Sequence, residues 1–179
     1  PGLPGVQHGN DRFGPRLDFA VPDSPSSGNE NHFLMPLTGD IDGDGRDEIA
    51  IGSPQAKGYV LVLDDLAHGL APLYSLRVPW GPYDEECGET RPAVGDLDGD
   101  GKAEVVAGLG RYRDKGGWLA VFKEERFHRW VRFPWSENNK NGGGTWPAIG
   151  DLRGEGKAQL VVGADSGMWA SLAVLSDPL

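Results

Sequence analysis

The sequence has a single cysteine, Cys87, so no disulfide can form within the chain. It has no apolar run long enough to cross a bilayer as a helix. Its first residues, Pro1-Gly2-Leu3-Pro4-Gly5, carry neither the charge nor the apolar stretch of a signal peptide, so a targeting segment is expected to be absent or already removed. Basic residues are also scarce, 17 against 27 acids, which gives a formal net charge of −10. A phosphate-binding face needs the opposite sign, so a nucleic-acid partner is not expected. Glycine (28) and proline (14), by contrast, are plentiful. They favour many short strands joined by tight turns over long helices.

The acidity is not spread evenly. Asp40, Asp42, Asp44, Glu48, Asp96, Asp98, Asp100 and Glu104 occupy two short segments, and setting them aside leaves 19 acids against 17 bases. Those segments belong to a repeat. Gly39-Asp-Ile-Asp-Gly-Asp-Gly45, Gly95-Asp-Leu-Asp-Gly-Asp-Gly101 and Gly150-Asp-Leu-Arg-Gly-Glu-Gly156 align, with their leading aspartates 56 and 55 residues apart. Pro36, Pro92 and Pro147 each precede that aspartate by 4 residues. Pro22, Pro79 and Pro134, closing Phe19-Ala-Val-Pro22, Leu76-Arg-Val-Pro79 and Val131-Arg-Phe-Pro134, precede it by 18, 17 and 17.

Each unit reads as four strands. A short first strand runs into the loop (33–37, 92–94, 147–149), and a small, β-branched second strand follows it (49–51, 105–107, 160–162) and ends on Gly52, Gly108 or Gly163. The third strands, 59–63, 118–122 and 171–175, are nearly continuous apolar runs, which predicts burial of second and third strands on both faces. The fourth, 74–78 and 130–133, is more polar and suits an outer position. The fold class expected is therefore all-β, with propeller-type repeats forming three four-stranded antiparallel blades. The order is permuted, with the outer strand of one blade supplied by the N-terminal side, around 17–21. Residues 1–12 are expected to be a flexible arm and 13–179 the repeat module. Four-stranded sheets need neighbours on both faces and a propeller usually closes with four or more blades, so the module is expected to belong to a larger ring or assembly.

In the loops 40–48 and 96–104, carboxylates at positions 1, 3, 5 and 9 surround a glycine at position 6. Alternate acids on a tight turn converge, and hard oxygen donors in this number suit Ca²⁺ better than Mg²⁺. The expected ligands are Asp40, Asp42, Asp44, Glu48 and the carbonyl of Arg46, and likewise Asp96, Asp98, Asp100, Glu104 and the carbonyl of Lys102. An ordinary Asp-Gly turn explains one such segment but not two in phase. An EF-hand needs a glutamate at position 12 and flanking helices; Ile51 and Ala107 stand there instead. The third loop, 151–159, has Asp151, Arg153, Glu155 and Gln159 at the corresponding places. Arg153 is expected to pair with Asp151 or Glu155 and leave that loop without metal.

Thr38-Gly-Asp-Ile-Asp-Gly-Asp-Gly-Arg-Asp-Glu-Ile-Ala-Ile-Gly52 and Val94-Gly-Asp-Leu-Asp-Gly-Asp-Gly-Lys-Ala-Glu-Val-Val-Ala-Gly108 resemble the FG-GAP and VCBS repeats, the calcium-loop blades of integrin-α-like propellers. The resemblance spans about residues 13–177 and is most specific in the first two units. It implies an extracellular or cell-surface location and a non-catalytic role in adhesion, recognition or scaffolding. Homo-oligomers or fibres through blade faces, or a glycan or protein ligand, are the expected partners. Two alternatives stand beside it. Trp80 and Trp135 follow the strand-ending prolines at equivalent positions and are candidates for stacking on a sugar, as in a lectin; filling space between blades is the favoured account of each. Enzymes acting on polysaccharides also carry such propellers, although no cluster of acid, base and nucleophile breaks the repeat. His8, His32, His68 and His128 share no metal spacing, and Cys87 sits among Asp84, Glu85 and Glu86, a poor setting for a nucleophilic thiolate. Asp64-Asp65 and Glu124-Glu125 read as solvated turns, and 136–144 as a flexible loop.

Overall fold

The computed structural model describes residues 34–52, 57–164 and 171–179. The repeat becomes three antiparallel sheets. The first runs β1 (Met35–Gly39), β2 (Glu48–Gly52), β3 (Tyr59–Leu63), β4 (Pro72–Arg77), in that spatial order. The second repeats it with β5 (Thr90–Gly95), β6 (Glu104–Leu109), β7 (Trp118–Lys123) and β8 (Arg126–Arg132). The third has β9 (Thr145–Gly150), β10 (Gln159–Ala164) and β11 (Ser171–Leu175). These are the expected blades, although the first strands extend further into the loops than their sequence suggests. The strand expected near 17–21 and the arm 1–12 lie outside the described residues.

Period-2 alternation tells each blade face what it packs against. In β6, Val105, Ala107 and Leu109 join Ala50, Val60, Val62, Leu76 and Val78 of the first unit in one core cluster. Val106, from the other face of β6, joins Leu119, Val121, Leu160, Val162 and Ala173 in a second cluster with the third unit. Unit two is thus sandwiched, and β6 is buried along its whole length. The outer strands β4 and β8 are largely exposed, as expected. β11 departs from the expectation of two-sided burial: Ala173 is buried, but Leu172 and Val174 are 61% and 50% exposed. Their cross-strand neighbours are Gly163 and Val161, so one apolar face of the third sheet remains uncovered among the described residues.

The glycine that ends each second strand has a packing reason. A Cβ on Gly52 would collide with the Thr90 carbonyl, and one on Gly108 would stand 2.6 Å from the Thr145 carbonyl oxygen. At Gly163, which has no following unit beside it among the described residues, the nearest atom would be 3.8 Å away. The strand backbone of one blade passes directly over this glycine of the previous blade.

Two one- to two-turn helices replace features read as loops. α1 (Gly81–Glu86) begins after Trp80, with Pro82 at a position where its missing N–H is harmless. α2 (Ser136–Lys140) begins after Trp135, within the stretch expected to be flexible. It is pinned instead: Asn138 and Asn139 are buried, and Asn139 Nδ2 donates to the Phe133 carbonyl (2.7 Å). In α1 the buried Tyr83 hydroxyl donates to the Glu89 carbonyl (2.5 Å) and accepts from Gly110 N–H (2.7 Å), tying the crossing between blades to unit two.

Candidate metal centre

Each acidic loop connects the first and second strands of a blade. In loop one, Asp40 Oδ1 accepts from Gly43 N–H (2.7 Å) and Oδ2 from Gly45 N–H (3.0 Å). Asp42 and Asp44 accept from the amides two residues on (3.0 and 2.9 Å). Gly43 and Gly45 have φ of 84° and 88°, a left-handed conformation that glycine adopts without strain and that curls the loop around its own carboxylates. Loop two repeats the pattern: Asp96 accepts from Gly99 and Gly101, Asp98 from Asp100, and Asp100 from Lys102.

The position-9 glutamates come from the first residues of β2 and β6 and are fully or almost fully buried. Glu48 Oε2 accepts from the amides of Ile41 (2.7 Å) and Asp42 (3.2 Å), whereas its Oε1 is buried without a hydrogen-bond partner. Glu104 Oε2 accepts from Leu97 N–H (2.8 Å). Burial pushes both carboxyls above the ordinary glutamate range, and the amide bonds offset part of that shift. Asp40, Asp42 and Glu48 each bring a carboxylate oxygen within 4.8 Å of the others, as do Asp96, Asp98 and Glu104.

Position 5 does not join these groups. Asp44 turns towards the Arg46 guanidinium (3.1 Å), and Asp100 towards Lys123 Nζ (3.0 Å). Hydrogen bonds to Lys123 are the largest influence holding the Asp100 carboxyl below its usual range. The side chains of Arg46 and Lys102, expected to contribute only through their carbonyls, are exposed.

Loop three keeps the frame with different chemistry. Asp151 accepts from the amides of Arg153, Gly154, Glu155 and Gly156, which hold its carboxyl low. Arg153 lies 4.0 Å from Glu155, one of the two pairings expected, and also donates to Ser176 Oγ. Gln159 replaces the buried glutamate: Oε1 accepts from Leu152 N–H and Nε2 donates to the Lys157 carbonyl, so both amide atoms are used without any cation.

The loops are also joined to one another. Ala103 N–H donates to the Asp40 carbonyl (2.7 Å), and Ala158 N–H to the Asp96 carbonyl (2.8 Å).

Three groups near the loops were not legible as functional. Asp64 and Asp65, read as solvated, sit against Glu48 and form a third cluster of oxygens with it. Asp65 is buried and accepts from the amides of Ala67 and His68, and the His68 ring bridges both aspartates (3.2 Å). The negative side chains beside His68 raise its proton affinity. Lys123, closing β7, reaches Asp98, Asp100 and Glu104. The available signal was the residue after each apolar third-strand run, 59–63, 118–122 and 171–175: Asp64, Lys123 and Ser176. Glu124 and Glu125 are exposed in the following turn, as expected.

The tryptophan pair separates. Trp80 packs among Tyr83, Tyr112 and Trp130, whereas Trp135 is 45% exposed and tilts onto Phe133. Cys87 closes α1, half-buried against the first core cluster.

The FG-GAP repeat family model matches residues 36–63, from β1 through loop one to the end of β3. It supports the resemblance read from the loop residues and covers the unit whose buried carboxylate lacks a partner. No curated protein matches the chain. Among the described residues, no helix is long and apolar enough to cross a membrane.

Proposed function

We propose that this chain is a non-catalytic, calcium-stabilised repeat module that acts outside the cell in recognition, adhesion or assembly. The observation that carries the reading is Glu48 Oε1, a buried carboxylate oxygen with no hydrogen-bond partner beside Asp40 and Asp42. Leaving such an atom unsatisfied is costly, and three adjacent carboxylates compound the cost; a divalent ion removes both. Asp40, Asp42, Asp44, Glu48 and the Arg46 carbonyl are the donors in loop one, and Asp96, Asp98, Asp100, Glu104 and the Lys102 carbonyl their counterparts. The ion is structural: it ties β1 to β2, and β5 to β6, across the loop. Calcium at a hundredfold excess over its dissociation constant would add about 2.7 kcal/mol, equivalent to roughly 5–10 °C in a chain of this size. Melting with excess EGTA and with millimolar CaCl₂ tests this, and identical melts would refute it.

The uncovered face of β11 supports assembly through blades. Gly163 keeps the small side chain that unit-to-unit stacking demands at Gly52 and Gly108. Leu34 and Pro36, equivalent to the Thr90 and Pro92 that cover Gly52, are exposed. A second copy stacked head to tail brings these surfaces together. Light scattering with Gly163→Phe reads this: a multimer lost in the variant supports it, and a wild-type monomer at high concentration refutes it.

One observation favours a second reading, carbohydrate binding. A cavity of about 400 Å³ is lined by Trp80, Trp118 and Trp130 with Lys115 and Arg132. Aromatic faces beside cationic donors suit an acidic sugar. Trp135 does not line it. Glycan-array binding lost on Trp130→Ala but kept on Trp135→Ala would favour this reading, and no binding would remove it.

A further inference from the structure

The pairing registers put three residues at one place in the fold. Ile49 opposes Leu63, Val105 opposes Phe122 and Leu160 opposes Leu175, so the next residues, Asp64, Lys123 and Ser176, each stand beside the position-9 side chain of their own loop. What sits there differs in charge. In unit one the neighbours of Glu48 are two further carboxylates, Asp64 and Asp65; the Arg46 guanidinium and the His68 ring pair with these aspartates (3.4 Å from Arg46 to Asp65, 3.2 Å from His68 to each) rather than with Glu48 itself. In unit two Lys123 Nζ lies 3.5 Å from Glu104 Oε1 and 3.0 Å from Asp100 Oδ2, and it also contacts Asp98 Oδ2. In unit three Ser176 faces Arg153 and the position-9 residue is a neutral glutamine.

The consequence is visible at two equivalent atoms. Glu48 Oε1 is buried and unpartnered, whereas Glu104 Oε1 has an ammonium beside it. The Lys123 side chain is 25% exposed, so its charge is only partly screened by water. It contacts two of the carboxylates that the calcium reading assigns as ligands in loop two.

We infer that the residue standing beside the position-9 side chain, Asp64 in unit one and Lys123 in unit two, decides which loop takes a divalent cation. Loop one, with Asp64 there, is the tight site. Loop two carries its own cation in Lys123 and binds calcium only by displacing that ammonium. The inference rests on the calcium reading above and refines it: two acidic loops of nearly identical sequence differ in affinity because of a residue outside either motif.

Calorimetric titration of the decalcified full chain with CaCl₂ tests it. Wild type is expected to bind one tight equivalent, lost in Asp40→Asn/Asp42→Asn and retained in Asp96→Asn/Asp98→Asn. Lys123→Met keeps the packed stem and removes the charge. It should tighten loop two on the order of a hundredfold, the scale for taking one positive charge from a few ångströms of a divalent ion, so that a second tight equivalent appears. Should Lys123→Met fail to fold, as judged by circular dichroism, the two loop double variants decide the matter alone. Two equal sites in wild type, or a tight site lost with loop two and kept without loop one, would overturn the inference while leaving the calcium reading intact. No binding by wild type or any folded variant would overturn both.

Discussion

The Thr145 carbonyl oxygen stands 2.6 Å from where a Cβ on Gly108 would lie. Thr145 Oγ1 also accepts from Leu109 N–H (3.0 Å) and donates to the Trp118 carbonyl (2.9 Å). The seam between units two and three is therefore closed over Gly108 by the Thr145 backbone and the rigid Pro147 ring, neither of which gives way easily. Gly108→Ala should cost about 1–3 kcal/mol, the range for overpacking a tight interior. Gly163→Ala, at the equivalent place without an overlying strand among the described residues, should stay within about 0.5 kcal/mol. Urea unfolding of both variants reads the contrast; equal losses would mean that the glycines answer to something other than stacking.

Unit three supplies the template for a second prediction. Gln159 satisfies both its side-chain atoms where Glu48 leaves one oxygen unpartnered. Glu48→Gln should raise the melting temperature in EGTA and remove loop one's share of the rise on adding calcium, leaving only the weaker response of loop two. A variant that is less stable without calcium, yet responds to it as fully as wild type, would remove Glu48 from the site.

A third concerns Asp84, whose equivalent in α2 is Asn139. Both pack against a left-handed glycine, Gly58 and Gly117. Asp84 Oδ1 is buried without a partner, and Arg77 Nε donates to Oδ2 (3.2 Å). Burial outweighs Arg77 and lifts the carboxyl to about 6, against 3.8 ordinarily. The folded state then holds this proton more tightly than the unfolded chain. Its contribution to stability is greatest at low pH, declines as pH rises from about 4 to 6, and stays low above. Asp84→Asn should remove that decline, leaving the variant about 1–3 kcal/mol more stable than wild type at pH 7 and converging with it near pH 4. Thermal melts across that interval in EGTA measure it, and parallel curves would count against the assignment.

The blades were legible because phase is a strong signal. Two sets of three in-phase prolines and three glycine-aspartate loops pointed to the strand order, and the nearly continuous apolar runs of β6 and β7 to burial on both faces; which side chain enters which cluster is visible only in the structure. What escaped the sequence depends on contacts remote in the chain. Lys123 lies 19 residues beyond Glu104, and only the β6–β7 register brings them together. Asp65 reads as a turn acid until the buried neighbours of Glu48 are known. The helix α2 hides in a polar, glycine-rich stretch because its ordering comes from Asn139 reaching the Phe133 carbonyl, not from helix propensity. Position 5 of the loops has a neighbour of the same kind: Arg46 pairs with Asp44 and Lys123 with Asp100, and neither pairing shows in the motif.

The amide of Ala103 belongs to one blade and its acceptor, the Asp40 carbonyl, to another. Whatever steadies the peptide of Asp40 is therefore felt by a proton carried on the neighbouring repeat. Along this rim the loops are linked like beads sharing a thread, so ordering in the first should slow solvent exchange at Ala103 and, through the Asp96 carbonyl, at Ala158. A sensor for events in one blade is thus already built into the peptide bond of the next.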